Sequence, residues 1–193
     1  MWIHGGGFTF GSAMVYKATA IYLARYYGCQ VIIPNYRLSP EYQYPIPFQD
    51  CLNVYKKLVE NGEKIDLIGD SAGGNLASSL VQTCISSNIQ LPKKLVLLSP
   101  WLDLSKESVS NKNNNSDYSP FDNLDTLAFS RDYIGDINYE DPRVSPLRGS
   151  FKGYPITHIQ ASKNEFLFDD ARLCLEKLKK DMFNFRFQKI NGQ

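Results

Sequence analysis

Residues 64–83 read "KIDLIGDSAGGNLASSLVQT". A short apolar run closes on Gly69, and from Gly73 to about Asn88 the chain is rich in Ala, Leu and Val. That order predicts a strand, an abrupt turn and a helix. Within the turn, Gly69-Asp70-Ser71-Ala72-Gly73 fits G-x-S-x-G, the pattern that presents a serine hydroxyl on a strained strand-to-helix corner. Glycines suit such a corner because flanking side chains would collide there, and the helix N-terminus behind the serine favours developing negative charge. The pattern alone is weak, and a tight turn without chemistry is the plain alternative. The preceding strand and following helix favour the nucleophile reading.

Outward from this corner, apolar runs alternate with helical patterns. This is the signature of an α/β fold with a mostly parallel sheet and helices on both faces. Upstream, "MWI" reads as the tail of a strand, 13–27 as a helix stopped by Gly28, "QVIIPN" as a buried strand, and the stretch from Pro47 to Asn61-Gly62 as a second helix. Downstream, "KLVLLSP" and "YPITHIQ" read as strands and Asp169–Met182 as a helix. In "FNFRFQKI", Phe183, Phe185 and Phe187 alternate with polar residues as in a final strand. Residues 1–193 are read as a single domain. In it 101–149 is an irregular insertion, with a short helix at Thr126–Tyr133 and a mobile Asn-rich loop at 111–117.

With 193 residues, of which 43% are hydrophobic and 13% aromatic, the chain can fill one core. Twenty-one basic against twenty acidic residues leave a net charge of +1, too little for a field that would gather nucleic acid or an anionic membrane. Small molecules are the expected partners. Cys29, Cys51, Cys84 and Cys174 form no C-x-x-C pair, so they are expected as buried free thiols in a reducing compartment. No apolar run approaches the ~20 residues of a membrane span. The opening "MWIHGGGF" resembles neither a signal nor a transit peptide, and the expected location is cytoplasmic.

His4-Gly5-Gly6-Gly7-Phe8 supplies a second candidate element. Consecutive glycines let backbone N–H groups approach a ligand closely, as in the oxyanion hole that pairs such groups with the N–H after a nucleophilic serine. A flexible Gly-rich loop or a phosphate cradle would share the composition. The Lys and Ser/Thr of a P-loop are missing, which weakens the phosphate reading.

Six stretches, "HGGGF", "YRLSPEYQYPIPFQD", "GDSAGGNLA", "LLSPWLDLS", "DPRVSPL" and "NEFLFDD", resemble in kind and order the hormone-sensitive-lipase group of α/β hydrolases, which includes arylacetamide-deacetylase-like enzymes and microbial esterases. The resemblance covers nearly the whole chain. It implies an α/β-hydrolase fold and a Ser-acid-His carboxylester hydrolase acting on small esters or arylamides, without metal or cofactor. Carried over by position, it makes Ser71 the nucleophile, the N–H groups of Gly6, Gly7 and Ala72 the oxyanion hole, and Glu165 the acid. Glutamate stands where the group usually has aspartate, and triads of this fold use either. Asp169 and Asp170 read instead as first-turn residues of the following helix. A non-catalytic receptor or pseudoenzyme on the same fold is the alternative function, disfavoured by the retained serine, acid and glycine loop.

The sequence holds only two histidines, His4 and His158. His4 belongs to the glycine loop. His158 precedes Glu165, against the Ser-acid-His chain order, and sits inside a strand three residues before Ala161, about 10 Å from the edge where loops gather. A packed strand histidine is the ordinary reading. The resemblance places the catalytic histidine just after the last strand, beyond Gln193, and further strands and a cap segment before His4. The chain is accordingly expected to be a fragment, nearly inactive by itself.

Overall fold

The computed structural model describes residues 1–105, 126–181 and 186–190. The strands are β1 (Trp2–Ile3), β2 (Asp66–Asp70), β3 (Lys94–Leu98), β4 (Ile156–Ser162) and β5 (Arg186–Ile190). They pair in chain order, every pair parallel. Parallel neighbours need crossovers, because a tight turn can join only antiparallel strands. The crossovers are α1 (Lys17–Tyr27) and α2 (Ile46–Glu60) before β2, α3 (Ala72–Ser86) before β3, α4 (Thr126–Ile134) and a 3₁₀ turn at Pro146–Arg148 before β4, and α5 (Phe168–Asp181) before β5.

Register explains which residues build the core. Leu67 pairs with Leu95 and Leu95 with Thr157, while Gly69, Leu97 and Ile159 form the next row on the same face. All six are buried, whereas Ile68, Val96 and His158, which point the other way, are half-buried. The first face is sealed where Gly69 meets the start of α3, and most of α3 is buried, including Leu76, Leu80 and Val81. Each large apolar side chain taken fully out of water contributes about 1.5–3 kcal/mol, so this face carries the greater share of the packing energy. The opposite face is only half-buried, and α1 has no buried residue. It ends as expected at Gly28, which adopts a left-handed φ of 59°.

Three expectations need correction. "QVIIPN" is not a strand, since residues 29–38 carry no regular structure and a single hydrogen bond, from the Trp2 N–H to the Ile32 carbonyl at 2.8 Å, ties it to β1. A ladder needs a partner as long as the strand, and β1 has two residues. The helix expected from residue 13 starts at Lys17, with turns before it. Cys29 is exposed, while Cys51, Cys84 and Cys174 are buried free thiols, and burial pushes the Cys84 thiol up to about 11. The Asn-rich run at 111–117 and the residues Phe183 and Phe185 lie outside the described residues. Within 101–149, α4 covers the expected helix and extends it by one residue.

Candidate active site

Ser71 sits between β2 and α3 with φ 52° and ψ −121°, a conformation that non-glycine residues rarely adopt and that surrounding contacts must enforce. Its N–H donates to the Leu98 carbonyl at 3.0 Å, and its own carbonyl accepts the N–H groups of Gly74 at 2.9 Å and Trp101 at 3.1 Å. The neighbouring glycines are dictated by backbone contact. A Cβ on Gly69 would lie 2.3 Å from the Gly73 carbonyl oxygen, and one on Gly73 would lie 2.1 Å from that of Ile3. The elbow is thus wedged between its own helix and β1.

The glycine loop folds back on itself. Gly6, with φ 116°, accepts the N–H groups of Thr9 and Phe10, each at 3.0 Å. The N–H groups of Gly6, Gly7 and Ala72 donate to no acceptor among the described residues. The loop is fastened to the elbow through Asp70. One carboxylate oxygen accepts the Trp2 indole N–H at 2.7 Å, and the other accepts the Tyr16 hydroxyl at 2.6 Å and the Gly5 N–H at 3.1 Å. Tyr36 donates its hydroxyl to the His4 carbonyl at 2.8 Å, and its ring stacks on the His4 imidazole at 4.2 Å. His4 is fully buried with Nδ1 2.8 Å from the Gly5 carbonyl, and burial lowers its pKa, which keeps the ring neutral. These contacts give His4 a part in holding the loop.

Glu165 lies between β4 and α5 and accepts the Ser99 hydroxyl at 2.9 Å. Burial raises its pKa, opposed by that hydrogen bond and by the Ser162 backbone. Asp70, Leu98 and Gln160 stand level across the sheet, so Ser71, Ser99 and Glu165 all follow the C-terminal ends of neighbouring strands. Crevices at that edge are where open α/β sheets bind ligands. His158 pairs with Val96 and Arg186, two residues short of Gln160. Asp169 and Asp170 open α5 as expected; Asp169 pairs with Arg172 at 3.0 Å. Asp170 is buried and accepts the N–H groups of Leu102 at 2.7 Å and Asp103 at 3.0 Å. Of the aromatics near the corner, Phe8, Tyr36 and Trp101 belong to the core, and Phe10 is 49% exposed, edge-on to Phe129. Among the described residues no three His, Cys, Asp or Glu side chains converge as metal ligands would.

The family model described as the alpha/beta hydrolase fold matches residues 1–193. This chain belongs to that family. Among similar proteins, an esterase of Acinetobacter venetianus is 35% identical over 98% of this chain and 64% of its own length. An acetyl-hydrolase of Streptomyces hygroscopicus is 31% identical over 89% of this chain and 58% of its own. The solved structure of an esterase from the bacterial hormone-sensitive lipase (HSL) family superimposes with a TM-score of 0.89 at 30% identity, covering 98% of this chain and 65% of the other. The chain therefore spans about three fifths to two thirds of these relatives.

For this alpha/beta hydrolase, the sequence singles out Ser71, Glu165 and the glycine loop as candidates, and it does not disclose the contacts that fasten them. Asp70 lies inside the quoted motif, yet its partner Tyr16 is 54 residues away. Ser99 and Asp170 were likewise in recognised stretches, "LLSPWLDLS" and "NEFLFDD", without a pattern naming their contacts. No helix among the described residues is long and apolar enough to cross a membrane.

Proposed function

We propose that this chain carries the nucleophile, acid and oxyanion hole of a serine carboxylester hydrolase acting on small esters, including acetyl esters. The observation that carries the reading is Ser71 held at φ 52° on the elbow, next to a loop whose Gly6 and Gly7 N–H groups are open, with Glu165 on the same sheet edge. The names of the relatives, an esterase and an acetyl-hydrolase, support the substrate class. Arylamides are a second acyl donor that the same chemistry would accept.

In this reading the Ser71 oxygen attacks the ester carbonyl carbon as its proton passes to an imidazole. The carbonyl oxygen becomes an oxyanion held by the N–H groups of Gly6, Gly7 and Ala72. Collapse expels the alcohol, which takes the proton from the imidazolium, and water then repeats the sequence on the acyl-serine. Glu165 orients the imidazole and stabilises its charged form. Neither histidine of the chain suits the role of base: His4 is buried against Tyr36, and His158 is mid-strand. The reading therefore assigns proton transfer to a histidine outside these 193 residues.

A longer polypeptide containing that histidine is expected to hydrolyse a short-chain nitrophenyl ester. Ser71→Ala in it should abolish turnover, and Glu165→Ala should cost less, because the acid supplies no reacting atom. The 193-residue chain alone should fall about 10⁶-fold short, the cost of a missing triad base. Tight apolar-ligand binding by the longer polypeptide, with no serine-dependent turnover, would replace the esterase with a receptor.

A further inference from the structure

Ser99 takes a left-handed φ of 43°, one of four non-glycine residues to do so among those described. Glycine would adopt that conformation without strain, so the retained side chain calls for a reason. Its N–H donates to the Gln160 carbonyl of β4 at 2.7 Å, and its hydroxyl donates to the Glu165 carboxylate at 2.9 Å. Two residues on, the Trp101 N–H donates to the Ser71 carbonyl at 3.1 Å, and Pro100 packs where a Cβ on Gly74 would come within 2.8 Å. Asn75 of α3 holds the Trp101 carbonyl at 3.0 Å. One turn thus grips both the elbow and the acid.

We propose that Ser99 is a positioning residue for Glu165, its left-handed backbone aiming a hydroxyl that fixes the carboxylate relative to Ser71. The role of Glu165 rests on the proposed function; the Ser99–Glu165 coupling is measured without it. A half-buried carboxylate such as that of Glu165 is held in one orientation and in its charged form by a donor aimed at one oxygen. Charged groups on the surrounding elements have other partners: Asp169 pairs with Arg172, Asp103 with Arg148, Asp170 takes two backbone N–H groups, and Asp70 holds Trp2 and Tyr16. Lys163 is exposed.

The test is a carbon-13 NMR titration of the side-chain carboxyls in the 193-residue chain, with the Glu165 resonance assigned through Glu165→Gln. Ser99→Gly removes the hydroxyl while relieving the left-handed strain, and should move the Glu165 midpoint upward. Ser99→Asn, which tolerates the same backbone conformation and offers an N–H donor, should bring the midpoint back toward wild type. A midpoint unchanged in Ser99→Gly overturns the proposal, as does an Asn variant that folds and titrates like the Gly variant. A purely structural serine would shift melting and leave the midpoint alone. Should Ser99→Gly fail to fold, Ser99→Ala gives the same readout. Absence of ester turnover in the longer polypeptide, with the Ser99–Glu165 coupling intact, would count against the esterase reading and leave this coupling standing.

Discussion

Glu165 combines burial, which raises its pKa, with donors from Ser99 and Ser162 that oppose the rise. Between the ordinary glutamate value of 4.5 and the raised one, the folded state keeps a proton that the unfolded chain has released. Stability therefore falls as pH rises through that window and stays lower above it. Glu165→Gln removes the penalty and should raise the melting temperature at about pH 7 while flattening the pH profile, as read by calorimetry at several pH values. A melting temperature at neutral pH below that of wild type would contradict the sign. The sequence made the carboxylate legible as a candidate through "NEFLFDD", but its surroundings were not, because the serine that meets it lies 66 residues earlier.

At the scale of elements, the junction of β1, β2 and α3 is set by backbone approach. A methyl on Gly73 would meet the carbonyl oxygens of Ile3 at 2.1 Å and His4 at 2.5 Å, neither of which can rotate away. Gly73→Ala should therefore force α3 off β1 and destabilise the fold by about 3 kcal/mol, the upper range for overpacking, as measured by urea unfolding. The same displacement would move the Gly6 and Gly7 amides relative to Ser71. The helices and strands flanking this junction were readable from periodicity to within a few residues, and the glycine pattern announced the turn itself. "QVIIPN" failed because apolar β-branched residues state a preference for extended backbone without guaranteeing a paired neighbour.

Over the whole molecule, burial is uneven. Met14, Val15, Tyr22, Tyr26 and Tyr27 are 62–72% exposed along and before α1, and Met14 also lines an open groove of about 430 Å³ with Lys17, Ala20, Ile21, Val31 and Ile33. Exposed apolar surface of this kind drives association. The 193-residue chain should sediment with a concentration-dependent mass, and Met14→Lys combined with Tyr22→Lys should reduce that dependence. A strictly monomeric chain at high concentration would be inconsistent with it. By itself the sequence determined the alternation of strands and helices, the serine corner and the glycine loop, since these follow from local periodicity and from backbone sterics within a few residues. Only the tertiary structure decided that Asp70 receives Trp2, Tyr16 and Gly5, that Ser99 meets Glu165, and that Asp170 caps the Leu102–Asp103 amides. Each of these joins groups 54 to 68 residues apart, and which buried carboxylate a distant donor reaches depends on how sheet register and crossovers bring strand ends together.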